Sequence, residues 1–167
     1  MSILDEDFFN KLSVKEYHVV HSWGVLHHTG NMNLAIKNAV KLVKPDVFFI
    51  LAIYNRHWTS PIWKIIKIFY CMLPGVIQEL ILMLFQPIMK IRAKSTRSDE
   101  DVNTERGMDL LHDIRDWLGG YPYEYATISE IEKLMKEYGF IKYRIIEILG
   151  WTGCNQFVFK KITSTLT

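Results

Sequence analysis

Tyr17-His18-Val19-Val20-His21-Ser22-Trp23-Gly24-Val25-Leu26-His27-His28 is the stretch whose reading decides the fold. Its first six residues are compact and β-prone, which predicts a strand over 17–22. Trp23 to Asn31 reads as a loop, with Gly24 and Gly30 marking its turns. Met32 to Val43 follows as a helix. Leu34, Ala35, Ala39, Leu42 and Val43 fall mostly on one face, and Lys37, Asn38 and Lys41 on the other. Lys44-Pro45-Asp46 ends it. Val47 to Ile53 is then a continuous apolar run, the pattern of a strand covered on both faces. Strand, helix, strand in this order is a βαβ unit, with parallel strands and a right-handed crossover.

Outward from this unit the pattern changes. Residues 3–12 read as a short amphipathic helix. Pro61 to Tyr70 reads as a helix broken by Pro74-Gly75, and Val76 to Phe85 as a second, very apolar one whose only charge is Glu79. This pair at 61–91 is expected to form an inserted helical cover over the substrate side. Its alternative use is contact with a membrane surface, since Lys64, Lys67 and Lys90 lie beside Trp63 and Phe69. Residues 93–105 are polar and read as an exposed loop. Thr127-Ile128-Ser129-Glu130 has the spacing of a capping box, opening a helix that runs to Tyr138 and stops at Gly139. Phe140 to Ile148 and Gln156 to Ile162 read as an antiparallel pair of strands, with Gly150 and Gly153 in the turn.

Composition narrows the function classes. The chain has 167 residues, 49% of them hydrophobic, which suits one domain with a packed core and argues against disorder. Its 20 basic and 18 acidic residues are nearly balanced, and no basic stripe interleaved with aromatics speaks for nucleic acid. Cys71 and Cys154 lie far apart without metal or redox spacing, as expected of reduced cytoplasmic thiols. The acidic start Asp5-Glu6-Asp7 lacks a signal-peptide pattern, and no uncharged apolar run is long enough to span a bilayer. His21, His27, His28 and His57 match no standard metal-ligand spacing, so no metal is expected.

The quoted stretch resembles the fourth strand and following loop of class I S-adenosylmethionine-dependent methyltransferases. There the segment reads aromatic-Asp-hydrophobic-hydrophobic, a small residue, then Val-Leu-His-His. The next helix, the Leu42-Val43-Lys44-Pro45 ending and the apolar strand follow in that family's order, as does the terminal helix, strand, strand. Arg106-Gly107-Met108 through Tyr123-Glu124 resembles a segment of one subgroup. The resemblance implies an α/β fold, the C-terminal part of a Rossmann-like methyltransferase sheet, with the last strand between those at 47–53 and 140–148. It also implies a partial domain over 1–167, because the family's glycine-rich loop and ribose-binding acid are absent and would lie upstream of Met1. Tyr17-His18 stands where aromatic-Asp is usual, and Lys44-Pro45-Asp46 lacks the usual glycine pair.

What the resemblance implies for the site follows from ligands binding at the carboxyl ends of strands. Ser22, Trp23, Gly24 and His27 would contact S-adenosyl-L-methionine, which this chain is expected to bind weakly. His28 is a candidate base, since an imidazole near neutral pKa can take a proton from a hydroxyl or amine. The alternative is that these His residues cap the next helix or pack in the loop. Tyr54 and Asn55, after the second strand, are candidate substrate contacts or simple turn residues. Apart from the resemblance, His112 and Asp113 are further catalytic candidates: if 106–118 is helical, His112 and Asp116 share a face, either as an acid-base pair over the substrate or as a solvated face with a local ion pair. Asp116, Tyr121 and Tyr123 are candidate substrate contacts, the two tyrosines alternatively anchoring their glycine-rich loop. The expected activity is methyl transfer to an O or N atom of a small-molecule or lipid-like substrate. The alternatives are a noncatalytic methyltransferase-like subunit that binds a partner, or a membrane-surface protein. The 17–22 strand is expected to offer an edge for self-association or a partner. The expected location is cytoplasmic, with peripheral membrane contact allowed.

Overall fold

The computed structural model describes residues 2–5, 17–96, 115, 117–148 and 153–162, with backbone alone at 88–96. The expectations at 6–12, 97–108, His112, Asp113, Asp116 and Gly150 lie outside the described residues. The chain divides into two compact units, one of residues 1–61 with 122–167, the other of residues 62–121.

The first unit is a mixed α/β layer. Its strands are β1 (Tyr17–Trp23), β2 (Val43–Tyr54), β3 (Phe140–Ile146) and β4 (Cys154–Lys161), in the order β1-β2-β4-β3. β1 and β2 run parallel, and β4 is antiparallel to both β2 and β3. The last strand therefore lies between the other two, as the resemblance implied. Helix α1 (Met32–Val40) crosses between β1 and β2, and α4 (Ile128–Glu137) precedes β3.

One face of the sheet carries the core. Phe49, Leu51 and Ile53 alternate along β2, Phe157 and Phe159 along β4, and they pack with Ala35, Ile36 and Ala39 of α1 and Ile131 and Met135 of α4. Period two on the strands meets period 3.6 on the helices, so one stripe of each element leaves water together. Phe48 and Ile50 point the other way and are only half-buried, and Tyr143, whose ring lies 4.9 Å from that of Phe48, is 68% exposed. Of the coverage expected on both faces of the run Val47 to Ile53, the second face shows only part, with Ala52 buried and Phe48 and Ile50 half-buried.

Three boundaries differ from expectation. β2 starts at Val43, and Lys44-Pro45-Asp46 belongs to the strand. The register jumps from Tyr17↔Val43 to Val19↔Phe48, and Asp46 sits at φ 63°, so these residues form a bulge where the missing proline N–H costs no ladder bond. Residues 3–4 form a turn, and Asn38 Nδ2 donates to the Ile3 carbonyl at 2.8 Å. Leu26–His28 closes a short 3₁₀ turn inside the expected loop. The expected capping box is complete: the Thr127 hydroxyl accepts from Glu130 N at 3.2 Å, and Glu130 accepts from Thr127 N at 2.8 Å.

The helices of the second unit are α2 (Ser60–Met72), which begins in the first unit, and α3 (Gly75–Thr96). α3 passes through Pro87 and extends beyond the expected stop at Phe85. Pro87 is exposed, so the carbonyl it cannot serve has access to water. Gln78 of α3 donates to the carbonyls of Tyr70 and Leu73 at the end of α2, and Tyr70 also accepts from Leu73 N. Tyr70, Leu82 and Leu118 form a small core. Lys67 is 1% exposed, donates to the Trp117 carbonyl and lies 5.4 Å from the centre of that indole. Burial disfavours its ammonium and brings its pKa down to about 8.

Candidate functional site

The carboxyl ends of β1 and β2 lie side by side, with Trp23 paired to Ala52. Beyond β1 the chain turns at Gly24, where φ of 70° favours a residue without Cβ, and enters the 3₁₀ turn that carries His27 and His28. Beyond β2 come Tyr54 and Asn55. A third segment, 122–126, closes the group. Ala126 N donates to the Tyr54 carbonyl at 3.0 Å, Arg56 N to the Ala126 carbonyl at 3.1 Å, and Glu124 N to the His27 carbonyl at 3.0 Å. The Glu124 carboxylate accepts from Met32 N at 2.9 and 3.1 Å. It thus meets the positive end of α1, where an anion is favoured.

His28 is fixed by this third segment. Its Nδ1 lies 2.7 Å from the Pro122 carbonyl oxygen. A carbonyl oxygen only accepts, so Nδ1 must carry the proton. In the neutral ring the lone pair is then on Nε2, the atom a general base uses. Gly30, near Pro122, has a φ of 83°, a backbone conformation that favours a residue without Cβ.

The other groups form an aromatic cluster. The His27 ring lies 4.2 Å from that of Tyr54 and 4.4 Å from that of His28. Tyr54 is 5.5 Å from His28 and 4.8 Å from Tyr123. Burial pushes the Tyr54 phenol well above its ordinary range, with Cys154 and Tyr123 adding to the effect. Burial likewise pushes Tyr123 up to about 12, against the opposing hydrogen bond to Ser60. Both phenols therefore stay protonated near neutrality. They can wall a pocket or donate a hydrogen bond, and cannot serve as bases there.

The expected site residues separate accordingly. His28, Tyr54 and Tyr123 come together. His27 joins them but is 1% exposed, so in this structure it packs against Tyr54. Ser22 and Gly24 are half-buried and Trp23 is 49% exposed at the end of β1. Asn55 is engaged from below: its Oδ1 accepts from Nδ2 of Asn155 at 3.2 Å, and Asn155 Oδ1 accepts from Ile148 N at 3.0 Å. Tyr121 belongs to the second unit. Asn155, fully buried, was not singled out from sequence, nor was Ser60, whose Oγ accepts from His57 N at 2.8 Å. Their one signal was polarity beside apolar strand and helix residues. Among the described residues no group of three or more His, Cys, Asp or Glu side chains is placed to hold a metal. Nor do the groups at these strand ends fit S-adenosylmethionine by themselves: the nearby carboxylate, Glu124, is spent on the α1 terminus, and the rest are aromatic, imidazole and amide groups.

No protein-family model and no curated protein matches the chain. Solved structures match in fold. PKMT2 from Rickettsia typhi superposes with a TM-score of 0.57 at 11% identity, over 96% of this chain and 38% of its own. The same protein in complex with AdoHcy gives 0.56 at 11% identity, over 96% and 38%. An O-methyltransferase family protein from Burkholderia thailandensis gives 0.48 at 12% identity, over 98% and 35%. The chain spans little more than a third of the length of these structures. The PKMT2 superpositions show the fold alone: this chain has a mixed α/β sheet like that of PKMT2.

Proposed function

We propose that this chain supplies the acceptor side of an S-adenosylmethionine-dependent methyl transfer to an O or N atom of a small-molecule or lipid-like substrate. The observation that carries the reading is His28, its Nδ1 held 2.7 Å from the Pro122 carbonyl, at the carboxyl end of a parallel strand pair. Ligands bind at such strand ends in α/β sheets. His28 takes the proton of the acceptor hydroxyl or amine, and Tyr54 and Tyr123, held neutral by burial, wall and orient that acceptor. S-adenosylmethionine is the proposed methyl donor, held mainly by residues other than those of this chain. Trp23 and Gly24 are its proposed contacts here.

The test is a titration of the isotopically labelled chain with S-adenosylhomocysteine, followed by amide shifts. We expect shifts confined to 22–28 and 54–55 with a dissociation constant on the order of millimolar, since most donor contacts are missing. Absence of shifts at millimolar ligand, or shifts only elsewhere, overturns the assignment of the site. A second reading, a noncatalytic subunit that binds a partner through β1, is favoured by one observation: β1 ends the strand order, with Val19 54% exposed.

A further inference from the structure

The second unit carries an apolar surface that the acceptor site does not use. On α2, Ile62, Ile65, Ile66, Phe69 and Met72 are all exposed, from 37% at Ile66 to 75% at Met72. They recur every three or four residues, so they form one stripe, opposite the buried Lys67 and Tyr70. On α3, Val76, Ile77, Leu80, Met83 and Leu84 repeat the spacing, and Val76 is 83% exposed. Two adjoining helices that both leave an aliphatic stripe in water are costly unless something covers it.

Charge says what the cover is. Besides the buried Lys67, residues 60–96 contain four basic side chains, Lys64, Lys90, Arg92 and Lys94, against the single acid Glu79. Glu79 is paired with Arg115. The whole chain is nearly balanced at 20 basic to 18 acidic residues, so the basic excess is concentrated in this segment and the remainder is acidic. The stripes themselves hold no hydrogen-bonding side chain, whereas a protein partner is normally met with about one hydrogen bond per 100–200 Å². No described helix is long and apolar enough to cross a membrane.

We propose that α2 and α3 dock the protein on a bilayer surface carrying anionic headgroups, with both helices lying in the interface. The apolar stripes enter the acyl boundary, and the basic residues other than the buried Lys67 meet the headgroups. The inference stands apart from the acceptor site and does not depend on it.

The experiment is co-sedimentation of the whole chain with two kinds of vesicle, phosphatidylcholine alone and phosphatidylcholine with about one third phosphatidylglycerol. The chain is expected to pellet with the mixed vesicles, less with the neutral ones, and to be weakened but not released by high salt. Phe69→Glu combined with Leu80→Glu, both at exposed positions, should lower partitioning by about tenfold or more. Circular dichroism of that variant should match the parent. Lys90→Glu with Lys94→Glu, which spares the stripes, should abolish the preference for mixed vesicles. Failure of the parent to pellet overturns the proposal, as does unchanged pelleting of both variants. A parent that self-associates in solution and ignores vesicles assigns the stripes to a second copy and overturns it equally.

Discussion

His28 and Pro122 are 94 residues apart in sequence, and the imidazole of one donates to the carbonyl of the other at 2.7 Å. The bond selects a tautomer as well as an orientation. Nitrogen-15 spectra of the chain at neutral or mildly basic pH should show His28 protonated at Nδ1 and bare at Nε2. The opposite tautomer would remove His28 as a base. In an active assembly, His28→Ala should lower turnover by about a hundredfold or more, with a smaller change in substrate KM.

The capping box makes a pH-dependent prediction. The Thr127 backbone bond, then the Thr127 hydroxyl and Arg56, hold the Glu130 carboxyl below its ordinary value despite the opposing cost of burial. A depressed folded pKa adds stability above the unfolded value and loses it as pH falls through the folded one. Urea midpoints should therefore drop on acidification below about pH 4.5 more steeply in the parent than in Glu130→Gln. Glu130 is half-exposed, so solvent screening keeps its share small. Thr127→Ala should cost about 1 kcal/mol at neutral pH, read from the same curves.

The two thiols should differ sharply. Cys71 is exposed, whereas burial pushes Cys154 up to about 12, so little of it is thiolate near pH 8. Iodoacetamide at that pH should alkylate Cys71 first, with Cys154 modified at least about tenfold more slowly, as peptide mass spectrometry would measure. Equal rates would mean that the end of β4 opens readily.

Among the described strands β1 pairs only with β2, and its other edge offers Tyr17 and Val19 to solvent. A parallel edge without lysine or proline invites another strand. Sedimentation velocity should show self-association that rises with concentration and falls in Val19→Lys. A parent that stays monomeric at high concentration would show the edge to be protected.

Much of the sheet could be read from residues. Tyr17 to Ser22 and Val47 to Ile53 are short β-prone runs on either side of a helical pattern, and connection rules leave few ways to pair them. Lys44-Pro45-Asp46 could not be resolved the same way, because residues that stop a helix also serve a bulge. The second apolar helix runs past its expected end at Phe85 and through Pro87, which an exposed position tolerates because water can replace the lost bond. His28, Tyr54 and Tyr123 were legible as candidates through their position after strands or in a glycine-rich loop. The support under them was not. Asn155 beneath Asn55, Ser60 on Tyr123 and Glu124 at the start of α1 are ordinary polar residues until long-range pairing brings them in.

The backbone bridge between Asn55 and Ala126 means that the chain leaves the first unit and re-enters it at adjacent points. The second unit is thus hung on a gap that is already closed. Closing a loop of roughly 60 residues costs only slightly more than closing one half as long, so such a junction is a natural port for exchange of segments. Replacing residues 62–121 by a linker would leave His28 its carbonyl and α1 its carboxylate, because Pro122, Glu124 and the Asn55–Ala126 bridge all belong to the first unit.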